Sequence, residues 1–271
     1  VAMAVGASTR QPVYDIDDPA PPEKRQPIYH VGTNAHAYST HRCHAHYLAW
    51  GGNLDRMIAE LYGKSTGCSG GRAGSMHLHD ESVGFMGTSA IVGSSVSLAV
   101  GDAYAARLRG DDSHITVAFG GDAVLETGQF WEAWNFAHLH HLRLIVVIED
   151  NGLSTATPKA KRQGGGLTIG VDRRLEYRRT PIGTVPVPGF SPSDDVVSVA
   201  EATAKIIEDS ESILSRPSML TVKTRRFHEH VGMARMPEFE TYPDDDPVRL
   251  AYQDAVDHLA FGEIGEVLGD I

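Results

Sequence analysis

Short apolar runs, interrupted by little besides threonine, occur at ITVAF (115–119), LIVVI (144–148) and MLTV (219–222). Runs of this length predict strands buried on both faces, as in a parallel sheet. Between the first two lies VLETGQFWEAWNFAHLHHL, whose spacing predicts a helix beginning near Val124. Strand, helix and strand in this order form one βαβ unit. Further helices are predicted over Leu54–Tyr62, over Ile91–Leu108, and over SDDVVSVAEATAKIIED with Ser193 as its cap. The second of these is small-residued all round, which suits a helix buried against a sheet. GKSTGCSGGRAGS (63–75) reads as a glycine-rich loop leading into MHLHD. Residues 8–36 show no periodicity and read as a long loop or insertion, and 240–271 as a C-terminal extension. The fold class is therefore α/β: a three-layer parallel sheet with helices on both faces, in one domain over 1–271.

Composition narrows the function classes. A formal net charge of −11 with no basic stripe excludes nucleic acid as an expected partner. No apolar run reaches membrane-spanning length, and the two cysteines, Cys43 and Cys68, make no disulfide framework. A cytoplasmic protein with no membrane partner is the expectation. VAMAVGA and the last residues both sit within helical patterns, so residues of the natural protein are expected to be missing at the ends.

The chemistry is expected at the carboxyl ends of the parallel strands, where such sheets bind ligands. Asp122 follows the strand at 115–119 and Asn151 follows the strand at 144–148, so a carboxylate and an amide oxygen meet in one crevice. These hard oxygens are too few to cage an ion, which suits Mg²⁺ or Ca²⁺ completed by water and diphosphate oxygens. Gly120 and Gly121 let a phosphate approach the backbone, and the helix start near Val124 offers unpaired N–H groups. Taken singly, an Asp there is as readily a helix cap and an Asn a turn former.

GGDAVLETGQFWEAWNFAHLHHLRLIVVIEDN resembles the thiamine diphosphate motif, GDG followed at this spacing by NN. The similarity extends through STHRCHAHYLAWGG, MIAELYGKSTGCSGGRAGSMHLHD and TSAIVGSSVSLAVGDA, and resumes at KTRRFHEHVG. On these segments the chain resembles the alpha subunit of the thiamine diphosphate-dependent decarboxylase component of 2-oxo acid dehydrogenase complexes. VAMAVGA resembles the end of that family's GQEA-type helix.

The resemblance implies that Asp122, Asn151 and the main-chain carbonyl of Leu153 ligate the metal. It implies that Gly121 and the backbone at Ala123 and Val124 meet the diphosphate, that Arg42 pairs with it next to His41, and that Ala90, Ile91 and Val92 lie against the aminopyrimidine. His230 would handle acyl transfer to a lipoyl group, with His228 and His77 as weaker candidates for the same pocket. The glutamate that activates the cofactor belongs to the family's beta subunit, which carries the pyrimidine-binding domain. An α2β2 enzyme, inactive as the lone chain and with a lipoyl transacylase as a further partner, is implied.

Departures from the family are Ala123 for the last glycine of GDG, Asp150 for the first Asn of NN, Ala90 for a glycine, His41 for an aromatic residue, and Glu229 with no serine after His230. EDNGLS (149–154) also resembles transketolases, which keeps open a two-chain carboligase without a lipoyl partner. A subunit that has lost catalysis and serves as a scaffold is a third reading. His41, His44 and His46 form an HxxHxH pattern that reads weakly as a transition-metal site. Plain dinucleotide binding is disfavoured, because no GxGxxG follows a strand.

Overall fold

A computed structural model describes residues 35–164, 178–180, 183–185, 196–212, 216–232, 234 and 236. Its frame is a five-stranded parallel sheet. In chain order the elements are β1 (Ala35–Thr40), α1 (His44–Ala49), α2 (Leu54–Leu61), β2 (Phe85–Ser89), α3 (Ser94–Leu108), β3 (Ile115–Gly121), α4 (Gly128–Leu139), β4 (Leu144–Asp150), α5 (Val196–Asp209) and β5 (Ser218–Lys223). The strand order is β2-β1-β3-β4-β5. Two short antiparallel strand pairs, Leu153–Ser154 with Thr157–Pro158 and Arg178–Thr180 with Gly183–Val185, lie outside this sheet. Among the described residues no helix is long and apolar enough to cross a membrane.

Strand alternation divides the core into two layers. Ile115, Val117, Phe119, Ile145, Val147, Leu220 and Val222 face one side with Tyr47, Trp50, Met57 and Ile206 from α1, α2, α5 and their flanks. Ala118, Leu144, Val146, Ile148 and Met219 face the other side with Val96, Ala99, Phe130 and Trp134 from α3 and α4. Both faces are thus covered, as the uninterrupted apolar runs predict. Burying each large aliphatic side chain of β4 contributes about 1.5–3 kcal/mol.

Several boundaries differ from the sequence reading. The loop expected over 8–36 lies outside the described residues up to 34, but Ala35 and His36 already belong to β1. The first strand of the βαβ unit runs on to Gly121 and the second to Asp150, so Gly120 and Gly121 are strand residues. No α-helix begins near Val124. Asp122–Glu126 forms a 3₁₀ turn, and α4 starts at Gly128, where the Thr127 hydroxyl accepts from the Phe130 N–H at 3.2 Å.

The helix expected from Ile91 starts instead at Ser94, because Gly93 has φ +92°, a left-handed conformation that breaks the helix before it. A Cβ at Gly93 would come within 2.7 Å of Thr127 Oγ1, so glycine there also lets α3 approach the α4 cap. Nor is α3 buried all round. Val96, Ala99, Ala103 and Ala106 pack inward, while Leu98 and Leu108 are exposed. Ser193 and the extension at 240–271 lie outside the described residues.

Candidate functional site

Because every strand of the sheet is parallel, all five carboxyl ends lie on one edge. Arg42 follows β1, Ala90 follows β2, Asp122 follows β3, Asn151 follows β4, and His228 and His230 follow β5. The chain leaves β1 toward β2 on one side and β3 toward β4 on the other. The crevice between such diverging strands is where open sheets take their ligands. Sequence-predicted residues from five separate segments are therefore gathered on one edge.

Gly121 pairs with Glu149 in the β3–β4 ladder, so Asp122 and Asn151 leave neighbouring strand ends about 5 Å apart laterally. Asp122 is buried, and its Oδ2 accepts from Arg162 Nη2 at 2.5 Å. Arg162 also pairs with Glu126, and Gln163 Nε2 donates to the Asp122 carbonyl at 3.1 Å and to Glu126 Oε1 at 2.9 Å. Asn151 Oδ1 accepts from the Leu153 N–H at 2.9 Å, a turn contact that uses one of its two lone pairs. Asp150, the residue that departs from the NN pattern, accepts from the Gly152 N–H at 3.0 Å and pairs with Lys159. Its extra charge is balanced within the turn.

The two glycines before Asp122 differ in purpose. A Cβ at Gly120 would meet Val124 Cγ2 at 2.8 Å, so that glycine serves core packing, and the buried Val124 side chain points away from the edge. A Cβ at Gly121 would have only Glu149 O within reach, at 3.9 Å, which leaves the backbone there open to a ligand.

Arg42 is exposed and joins the end of β1 to the segment after β5. Its Nη2 donates to the His230 carbonyl at 2.6 Å and lies 3.1 Å from His230 Nδ1. Arginine is always a donor, so Nδ1 accepts and the ring proton sits on Nε2. Burial, then Arg42 and Arg226, lower the His230 pKa below the ordinary imidazole value. His41 is lowered as well, by burial and then by Arg42 and His230. His77 is exposed, with Nδ1 3.3 Å from the Thr88 carbonyl at the end of β2. His228 is half-buried in the segment after β5, and Ala90, Ile91 and Val92 are all exposed between β2 and α3.

The HxxHxH reading is corrected by the packing. His44 Nε2 lies 3.1 Å from the Ser75 carbonyl, His46 is held between Ser39 Oγ at 2.8 Å and Glu149 Oε1 at 3.0 Å, and His41 faces Arg42. Three rings bound for three different partners do not converge on an ion.

Sequence reasoning missed Arg162, Gln163, Lys159 and Glu126 around Asp122, and Glu60 beneath the glycine-rich loop. Glu60 is fully buried, and its carboxylate accepts from the backbone N–H groups of Ser69, Gly71, Ala73 and Gly74 at 2.9, 2.7, 2.6 and 3.2 Å. The basic cluster KAKR at 159–162 was the one signal for the former group; nothing local marked the latter.

The family model described as "Dehydrogenase E1 component" matches residues 30–238. The chain belongs to this family. It is 33% identical over 204 residues to the alpha subunit of acetoin:2,6-dichlorophenolindophenol oxidoreductase of Cupriavidus necator, covering 75% of this chain and 58% of that one. It is also 33% identical over 207 residues to the protein of the same name in Bacillus subtilis, covering 74% and 59%. With the pyruvate dehydrogenase E1 component subunit alpha of Rickettsia bellii it shares 32% over 215 residues, covering 78% and 63%. The chain thus spans about three-fifths of the length of these relatives. Membership in a dehydrogenase family lends no support to the carboligase reading.

Proposed function

We propose that this chain is the alpha subunit of a thiamine diphosphate- and Mg²⁺-dependent enzyme that decarboxylates a 2-oxo acid and passes the remaining acyl group onward. The observation that carries this reading is that Asp122 and Asn151 follow the ends of adjacent strands, with Arg42 and His230 on the same edge. The donor set fits the group: hard oxygens from Asp122, Asn151 and the Leu153 carbonyl suit Mg²⁺. The open backbone at Gly121 and the Arg42 guanidinium suit a diphosphate, which the main chain of Ala123 and Val124 would also meet. When bound, thiamine diphosphate would supply the electron sink that decarboxylation needs.

The chain's own residues would orient and shield. Arg42 fixes His230 with its proton on Nε2, and the lowered pKa keeps that ring neutral near pH 7. His230 is then poised to donate from Nε2 and to take the proton back. Ile91 and Val92, exposed after β2, would offer the crevice an apolar wall, and His77 and His228, near the ends of β2 and β5, would stand beside it. Arg162 and Gln163 hold Asp122 in place, and a cation held there would share that carboxylate with the guanidinium.

The relatives are named as alpha subunits, and a beta partner supplying the pyrimidine-binding domain and the activating glutamate completes the reading. The exposed Leu98 and Leu108 of α3 and Leu139 of α4, together with Ile91 and Val92, are apolar side chains that such a contact would cover. A lipoyl transacylase would be the acceptor. The test reconstitutes the chain with its beta subunit and measures 2-oxo acid-dependent CO₂ release, alongside a thermal-shift titration with Mg²⁺ and thiamine diphosphate. Activity only in the pair, with ligand stabilisation lost in D122N, is expected. Activity of the lone chain, or no ligand-induced shift in the pair, would overturn it.

A further inference from the structure

On the opposite edge of the sheet, three side chains from three elements converge. His36 is the second residue of β1, His114 immediately precedes β3, and Asp102 lies in the middle of α3. His36 Nδ1 lies 3.1 and 3.0 Å from the two Asp102 carboxylate oxygens, and His114 Nε2 lies 3.0 Å from Oδ2. The three ligand atoms fall within 4.8 Å of one another. We propose that His36, Asp102 and His114 form a transition-metal site for a divalent ion of the Zn²⁺ class. It is distinct from the strand-end crevice and joins β1, α3 and β3.

The chemistry of the donors selects the ion. Two imidazole nitrogens and one carboxylate oxygen suit Zn²⁺, Co²⁺, Ni²⁺ or Fe²⁺, while Mg²⁺ prefers oxygen alone. The two nitrogen–oxygen separations need little adjustment. Zinc bonds of about 2.0–2.2 Å seat tetrahedral ligands about 3.3 Å apart, so each 3.0 Å separation opens by a few tenths of an ångström. The two imidazoles meet edge to face, with ring centres 4.5 Å apart and planes at 83°. That arrangement keeps the rings clear of each other while both nitrogens face Asp102 Oδ2.

A supporting contact orients the carboxylate: Thr116 Oγ donates to Asp102 Oδ2 at 3.0 Å, as the outer partners of metal-binding carboxylates do. In the metal-free state the imidazole N–H groups bridge to Asp102. On binding, those protons move to His36 Nε2 and His114 Nδ1, freeing the facing lone pairs for the ion. His114 is almost wholly buried, whereas the His36 side chain is 24% exposed and gives the ion a way in. Three protein ligands leave a fourth position for water.

The ligands are separated by 66 and 12 residues, so an ion here closes long loops and adds to stability by mass action. At an ion concentration about 100 times Kd the expected rise in Tm is about 5–10 °C. The full chain, stripped with chelator and kept in saturating Mg²⁺, is titrated with Co²⁺ and read by its visible ligand-field bands, then with Zn²⁺ by thermal shift. One equivalent of tetrahedral Co²⁺ is expected. The bands should vanish in both H36Q and H114Q, checked for folding by circular dichroism, and persist in D122N and H44Q. Absence of bands and of a Zn²⁺ shift in the unaltered chain overturns the site. So does a signal that survives both histidine substitutions, or one that is lost instead in D122N or H44Q.

Discussion

Replacing Glu60 with glutamine keeps the shape of the side chain and changes one acceptor oxygen into a donor. In the native chain each oxygen serves two amides: Oε2 accepts from Ser69 and Gly71, and Oε1 from Ala73 and Gly74. Whichever oxygen becomes the amide nitrogen, two backbone N–H groups lose their acceptor and face another donor. Each buried donor left unpaired costs about 1–3 kcal/mol, so Glu60→Gln should destabilise by about 2–6 kcal/mol. For a chain of this size that is roughly 5–20 °C in Tm, read by calorimetry with urea unfolding as a check.

The pH dependence follows from the same contacts. Burial opposes the Glu60 charge, but the four amides outweigh it and hold the carboxyl below the usual range. A carboxyl lowered on folding contributes stability that is fully present above its unfolded value, about 4.3, and is lost as pH falls through the folded value. The gap between native and Glu60→Gln proteins should therefore be constant from pH 8 to 5 and narrow only in more acidic solution. A gap under about 0.5 kcal/mol at pH 7 would refute the argument, because it would mean that water serves those amides equally well.

Gly67→Ala should be as damaging as loss of Glu60 itself, since its Cβ would sit 2.3 Å from Glu60 Oε2 and 2.6 Å from Glu60 Cα; equal Tm values for native and variant proteins would count against the packing described. Arg162→Met leaves the buried Asp122 carboxylate without its guanidinium and should cost about 3–5 kcal/mol in metal-free protein, with a larger Mg²⁺-induced Tm rise than the native chain shows. Arg42→Met removes a cation beside His230, so the imidazole pKa should rise toward its ordinary value in an NMR titration; no movement would break the assignment of that pair. Asp102→Asn removes the acceptor shared by His36, His114 and Thr116 and should destabilise by about 2–4 kcal/mol in urea unfolding without metal. His36 and His114 hold the Asp102 carboxyl well below its usual range against the opposing effect of burial, so that contribution should persist to below pH 4.

What could be read from the sequence tracks how locally each feature is written. β3, β4 and β5 are continuous apolar runs and were legible. β1 was not, because its buried positions hold Ala35, Ala37 and Ser39, small residues whose alternation carries almost no hydrophobic signal. β2 (FMGTS) has one large buried side chain, Phe85, and reads as part of a turn-rich stretch. The placement of Asp122 and Asn151 at neighbouring strand ends was legible because a polar residue directly after a buried strand is a local pattern. Arg162–Asp122, His36–Asp102 and His46–Glu149 join residues 40, 66 and 103 positions apart, distances at which periodicity says nothing about contact.

This difference changes how the departures from the family pattern weigh. Read along the chain, Asp150 is an unmatched negative charge beside a proposed metal ligand. In the fold, the Lys159 N–H donates to the Gly152 carbonyl at 2.7 Å and the Arg162 Nε to the Thr157 carbonyl at 2.9 Å, which folds the 157–163 turn back under the strand ends. That turn delivers Lys159 to Asp150 and Arg162 to Asp122 and Glu126, so three carboxylates meet two cations. The surplus is a single negative charge at the cluster, the sign that favours a cation over a bare site. Asp150 is then one half of an ion pair contained within a single turn, and the attraction for a metal rests on Asp122 and Glu126 sharing one guanidinium.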